Sequence, residues 1–145
     1  MREALAEAEK ALHKDEVPVG AVVVYEGSIV GRGHNLIETL QDPTAHAEML
    51  AITAAANFLA SWRLIDTSLY VTLEPCAMCT GAILLARIPC VFWGSADPRI
   101  GACGSVLNIP REERLYAKVK MAGGILGYES QQLLQTFFNQ LRTKK

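Results

Sequence analysis

SLYVTLEPCAMCTGAILLARIPCVFWG, residues 68–94, decides the fold. SLYVTLE (68–74) has the length and residue types of a strand. CAMCTGAILLAR (76–87) has helical length and is nearly all apolar, so it reads as a buried helix, with Pro75 at its start where a missing N–H costs nothing. CVFWG (90–94) is a second strand. Strand, buried helix, strand in that order means a sheet covered by helices.

The flanking segments extend the same pattern. Residues 45–60 have helical length, and their polar members are His46, Glu48, Thr53 and Asn57. A helix that apolar is expected to be buried on more than one side. PVGAVVVY (18–25) and SIVGRGHN (28–35) flank Glu26-Gly27, a two-residue hairpin signal. Residues 3–13, apolar at Leu5, Ala8 and Leu12 between charges, read as an amphipathic helix. Downstream come a Gly-rich loop (95–109) with Asp97, Pro98, Gly101 and Gly104, a last strand AKVKM (117–121), and a closing helix (128–142) carrying Leu133, Leu134, Phe137, Phe138 and Leu141. The expectation is an α/β protein: a three-layer α/β/α sandwich with a mixed sheet of about five strands, the first two antiparallel, in a single domain over residues 1–145.

Half of the 145 residues are apolar and 20% are charged, as in an ordinary globular protein. No apolar run reaches the length of a bilayer span, and MREALAEAEKALHK lacks a signal-peptide core, so a cytoplasmic location is expected, with no membrane partner. Four cysteines there point to thiols or metal ligands rather than a disulfide framework. Net charge is −1, but unevenly spread: residues 1–50 carry four Lys/Arg against nine Asp/Glu, residues 51–145 ten against six. Two differently solvated faces account for this, and so does a local basic surface for phosphates.

The chemistry concentrates in TAHAE (44–48) and EPCAMC (74–79). The helix over 45–60 runs about 22 Å, the strand at 68–74 returns over a similar length, and the next helix starts near Cys76. Both helix starts therefore lie at one end of the sheet, where His46, Cys76 and Cys79 converge. One imidazole and two thiolates without a fourth protein ligand suit a catalytic zinc with an open position, and helix N-termini favour thiolates. A lone Cys-x-x-Cys also fits a redox pair, and a lone His on an apolar helix a core residue. The joint pattern of His-x-Glu opening one buried helix and Pro-Cys-x-x-Cys opening the next favours zinc. Glu48, costly in an apolar helix without a partner, reads as the proton-accepting base, with a helix-dipole contact as the alternative. Residues two apart on a regular helix do not share a face, so His46 has to precede regular helical geometry. Cys90 and Cys103 read as a strand-core and a small loop residue, His13 and His34 as structural or solvated.

These segments resemble the cytidine-deaminase-like superfamily, specifically the bacterial tRNA adenosine deaminases. EVPVGAVVV (16–24), GHN (33–35), DPTAHAEM (42–49), WRLIDTSLYVTLEPCAMC (62–79), ARI (86–88) and GACGSVLN (101–108) carry the resemblance over almost the whole chain. It implies hydrolytic deamination of adenosine to inosine at the wobble position of a tRNA anticodon loop. It implies one Zn2+ per chain on His46, Cys76 and Cys79, activating water, with Glu48 as proton shuttle, Asn35 hydrogen-bonding the flipped-out base, and the backbone at Ala47 lining the base pocket. It also implies a homodimer holding a tRNA anticodon stem-loop. Asn is a typical reader of adenine edges; a turn residue after a strand is the alternative for Asn35. Arg63, Arg111, Arg114, Lys118, Lys120 and Arg142 form the pool of candidate phosphate contacts.

The chain departs from the family pattern in two places. Asn139 follows the Phe137-Phe138 pair where the family usually has Arg, and RLYAKVK (114–120) lacks the family's Asn-His pair. Two competing functions remain open on the sequence: a deaminase of a free base or nucleoside of the guanine or cytosine type, and a structural-zinc or redox module. The latter would prefer a fourth protein ligand and has no use for Glu48.

Overall fold

The computed structural model describes residues 1–115 and 118–144. In chain order its elements are α1 (Arg2–Leu12), β1 (Gly20–Tyr25), β2 (Ser28–His34), the short α2 (Ile37–Leu40), α3 (Ala47–Phe58), β3 (Thr67–Leu73), α4 (Ala77–Leu85), β4 (Cys90–Ser95), a 3-10 turn (Ile109–Arg111), β5 (Lys120–Ala122) and α5 (Gly127–Thr143). The five strands form one mixed sheet in the order β2-β1-β3-β4-β5. β1 pairs antiparallel with β2 and β3, while β3, β4 and β5 run parallel. The expected architecture is present. The last strand is shorter than expected, Lys120–Ala122 rather than 117–121, and Ala117 lies outside the described residues.

The hairpin turn is as the dipeptide predicts. Tyr25 pairs with Ser28, and Glu26 and Gly27 take φ of 48° and 76°, both positive as a type I′ turn demands.

Alternation along the strands sends side chains to two helical layers. On one face α3 packs on β1 and β2, and α4 lies beside α3; on the other, α1 and α5 pack on β1, β2, β3 and β4 and touch each other. The α3 contact is a seam of small residues. A Cβ on Gly31 or Gly33 would collide with the carbonyl oxygen of Ala51 or Ala47, so the helix backbone lies directly on β2. Ala21, Val23, Leu69, Val71, Ile83 and Val91 fill the core behind it.

Some expectations need correcting. On α1 the buried stripe is Ala4, Glu7, Ala8 and Ala11, not Leu5 and Leu12, which are only half-buried. The helix backbone lies in close contact with Gly20, whose nearest neighbours are Ala4 O, Ala8 N and the Glu7 Cβ. α3 and α4 each bury one side within the chain; Phe58 stays 71% exposed and Leu85 66%. α4 begins at Ala77, with Cys76 as N-cap, so Pro75 precedes the helix and its carbonyl accepts from Ala102 N at 2.8 Å. No helix among the described residues is long and apolar enough to cross a membrane.

Candidate active site

Two helix starts build the site. His46 is the N-cap of α3, with extended backbone (φ −76°, ψ 153°), and Cys76 is the N-cap of α4 (φ −74°, ψ 176°). Neither side chain caps its own helix, so both are free to turn toward each other. The entry to α3 is set by Asp42, whose Oδ1 accepts from Thr44 N at 2.8 Å and Thr44 Oγ1 at 2.7 Å. Because β2 and β3 both run antiparallel to β1, they point the same way, and the helices that follow them, α3 and α4, start at one end of the sheet. His46 Nδ1 lies 3.6 Å from Cys76 Sγ and 3.5 Å from Cys79 Sγ. The ligating atoms of the three residues all fall within 4.8 Å of one another, and they can hold a metal ion; no other such group of His, Cys, Asp or Glu occurs among the described residues. All four cysteines are free thiols.

The electrostatics favour a cation there. The Cys76 thiol is pulled down to about 4, chiefly by the Cys79 thiol donating to it, with His46 assisting. Cys79 is pushed up because it is that donor and because it is buried. His46 is raised by its hydrogen bond with Cys76. A divalent cation held by the three residues favours both cysteines as thiolates.

Glu48 follows two residues after His46. The extended backbone at the cap is what lets both side chains face one space despite that spacing. Glu48 is 4% exposed, and burial raises its carboxyl to about 7. It lines a cavity of about 200 Å³ together with Asn35, His46, Ala47 and Cys76. A second cavity of about 630 Å³ adjoins it, sharing Val17, Leu73, Asp97 and Arg99, and is also lined by Phe138 and Arg142 of α5. Asn139 also lines this second cavity.

The candidate phosphate contacts scatter. Arg63 stacks on Trp62 at 4.4 Å, beside the start of β3, about seven residues or 20 Å along the strand from the site. Lys120 pairs with Cys90, at the start of the parallel β4, and is likewise at the far end. Arg114 is bound to Glu112 at 2.7 Å, while Arg111 and Lys118 are exposed. Arg142 lines the larger cavity.

Sequence reasoning missed three residues. Arg99 lines both cavities; its signal was its place in the Gly-rich loop. Glu74, directly before Pro75-Cys76, is 3% exposed and holds that loop: its carboxylate accepts from the backbone N–H of Asp97 (3.0 Å), Cys103 (3.1 Å) and Ser105 (3.0 Å), and from the Ser105 hydroxyl. Burial opposes its charge, but these bonds outweigh it and hold its pKa below the ordinary value. Glu16 is the third; its partners are also backbone N–H groups. Cys103 is buried, its thiol 3.5 Å from Thr80 Oγ1, and Cys90 is half-buried in β4. His34 bridges Glu7 and Lys14 at 3.1 Å each, and His13 is exposed.

Known proteins resemble this chain in sequence and fold. The family model of MafB19-like deaminases matches residues 1–142. A "tRNA-specific adenosine deaminase" of Streptococcus pyogenes serotype M18 is 48% identical over all 145 residues, which cover 91% of it. A structure from studies of A-to-I editing by tRNA:A34 deaminases at the wobble position of transfer RNA superposes with a TM-score of 0.89 at 40% identity, covering 92% of this chain and 97% of that one. A guanine deaminase of Bacillus subtilis superposes with a TM-score of 0.63 at 40% identity, covering 66% of this chain and 61% of that one. A full-length match, a shared mixed sheet and a converging His-Cys-Cys group lead to one assignment: the chain belongs to the MafB19-like deaminase family, among the tRNA-specific adenosine deaminases.

Proposed function

We propose that this chain is a zinc-dependent enzyme that converts adenosine to inosine at the wobble position of a tRNA anticodon loop. The observation that carries the reading is the buried Glu48 carboxylate beside the His46-Cys76-Cys79 group on the wall of one small cavity. A tetrahedral zinc about 2.0–2.1 Å from an imidazole nitrogen and about 2.3 Å from a thiolate separates those donors by roughly 3.6 Å. The separations from His46 Nδ1 are 3.5 and 3.6 Å, so the donor set fits zinc. About 200 Å³ lies below the roughly 300–1,000 Å³ of pockets for larger ligands and suits a single flipped-out base.

Bound on these three residues, zinc supplies a Lewis acid that brings the proton of water within reach of a base near neutrality. Glu48 is that base. Buried beside the metal group, it takes the proton from water as the water oxygen adds to C6, passes that proton to N1 of the adenine ring, and assists the departure of ammonia from C6. The balance is water plus adenosine giving inosine plus ammonia. Asn35 hydrogen-bonds the base, and the backbone of Ala47 forms the floor it rests against. Arg99 and Arg142, which both line the larger cavity, are the cations best placed for the backbone phosphates of the loop. The reading extends to a single domain over residues 1–145, working in the cytoplasm as a homodimer; Phe58, Ile65 and Leu85, exposed around α3 and α4, support the pairing.

A comparison of substrates tests the proposal. An anticodon stem-loop with adenosine at the wobble position is converted to inosine, with an affinity that falls steeply with salt, while free adenosine turns over very weakly. Ready ammonia release from free guanine or cytosine, with an untouched stem-loop, overturns it.

A further inference from the structure

Glu16 lies between α1 and β1, belongs to neither, and is 1% exposed. The deamination chemistry makes no use of it. Its carboxylate accepts from N–H groups of the segment that follows β2. Oε1 accepts from Thr39 N at 2.6 Å, Oε2 accepts from Glu38 N at 3.2 Å, and Asn35 Nδ2 donates to Oε2 at 3.5 Å. The first two belong to the first turn of α2, whose N-cap Leu36 offers no side-chain cap. Glu16 therefore satisfies, from more than twenty residues away, donors that a local cap satisfies elsewhere.

The third contact bears on the site. Asn35 is 6% exposed, and its backbone is pinned by Asn35 N donating to Val19 O at 3.0 Å. What remains free is rotation of the amide, which exchanges its donor and acceptor ends. A carboxylate holds only acceptors, so the amide beside it has to present N–H; the flipped form sets oxygen against oxygen. We propose that Glu16 is a positioning residue that fixes the Asn35 amide with its nitrogen toward Glu16 and its Oδ1 toward the cavity. The base then meets an amide whose donor and acceptor stand in one order. This rests on the reading of Asn35 as the base contact.

Glu16→Gln is the informative change. Its amide oxygen keeps the shorter bond from Thr39 N, and its NH2 then stands in place of Oε2, where it faces Asn35 and favours the flipped amide while giving up the bond from Glu38 N. In the zinc-loaded enzyme, Glu16→Gln should raise KM for the stem-loop roughly ten-fold, the worth of about one hydrogen bond, with kcat changed far less. In an Asn35→Ala background the same substitution should change KM less than about two-fold, because the group it acts through is gone. Effects that multiply in the double variant would mean that Glu16 merely holds the fold, and would overturn the proposal. A second readout does not depend on turnover. The side-chain amide of Asn35, assigned by its loss in Asn35→Ala, should show one downfield, slowly exchanging proton in the wild-type 1H–15N spectrum, and Glu16→Gln should remove it. If that variant does not fold, the wild-type spectrum decides: an Asn35 pair at free-amide positions overturns the proposal. A wild-type enzyme inert toward the stem-loop counts against the proposed substrate, and the amide spectrum still judges Glu16.

Discussion

Glu74→Gln isolates the bonds that hold the 97–105 loop against the site. Four donors meet two carboxylate oxygens in the wild type: Cys103 N and Ser105 N on Oε1, Asp97 N and Ser105 Oγ on Oε2. Glutamine keeps one oxygen, best spent on Cys103 and Ser105, and sets its NH2 against the Asp97 N–H. One buried donor is stranded, at about 1–3 kcal/mol, and two charge-assisted bonds become neutral ones, at about 1 kcal/mol each. The expected loss is about 4 kcal/mol, or on the order of 10 °C in Tm for a chain of this size. Urea unfolding of both proteins, followed by circular dichroism at pH 7, measures it. The pH dependence has a definite sign. The folded pKa of Glu74 lies below the ordinary 4.5, so the wild type's advantage is complete above 4.5 and is lost as the pH falls through the folded value, where protonated Glu74 resembles glutamine. A difference under 1 kcal/mol at pH 7, or one that widens below pH 4.5, refutes the account.

Three further outcomes are expected. Glu48→Gln keeps the size of the side chain and removes the base, so it should retain fold and metal and lose about 10²–10⁴-fold in kcat; activity within a few-fold of wild type in the stem-loop assay would assign the proton to another group. Cys79→Ser should lose the metal and part of the stability, since two helix starts converge on it; one zinc per chain by elemental analysis of that variant sinks the ligand assignment. Sedimentation at micromolar concentration should return a dimer, and Leu85→Glu, which puts a charge on an exposed apolar face, should shift it toward monomer; a fully active wild-type monomer rules the pairing out.

The hairpin at Glu26-Gly27, the alternation of strands with apolar helices, and the convergence of His46, Cys76 and Cys79 were all legible, because each is written in local periodicity or short spacing. α2 was not. IETL is too short for a pattern, and its end is satisfied by Glu16, a distant residue. Glu16 and Glu74 escaped for the same reason: their partners are backbone N–H groups more than twenty residues away, and a backbone N–H leaves no mark on sequence. Charge gave Arg63 and Lys120 the same standing as Arg142, and only the direction of β3 and β4 separates them. The buried stripe on α1 is set by the close approach of Gly20 to the helix backbone at Ala4 and Ala8, which the larger Leu5 and Leu12 do not signal.

The antiparallel pairing of β1 with β3, Ala21 to Val71 through Tyr25 to Thr67, joins two pieces that are each continuous in the chain. One piece runs from α1 through the hairpin to α3 and carries Asn35, His46 and Glu48. The other runs from β3 through α4 and β4 to α5 and carries both cysteines. During synthesis the first piece leaves the ribosome with a single ligand and the base, and the second adds two thiolates only when β3 docks on β1. A chain cut in the connection between Phe58 and Thr67 therefore divides the chemistry along with the fold. Neither fragment holds the three donors, and zinc uptake by the mixture reports reassembly across the β1–β3 pairing and the helix contacts beside it.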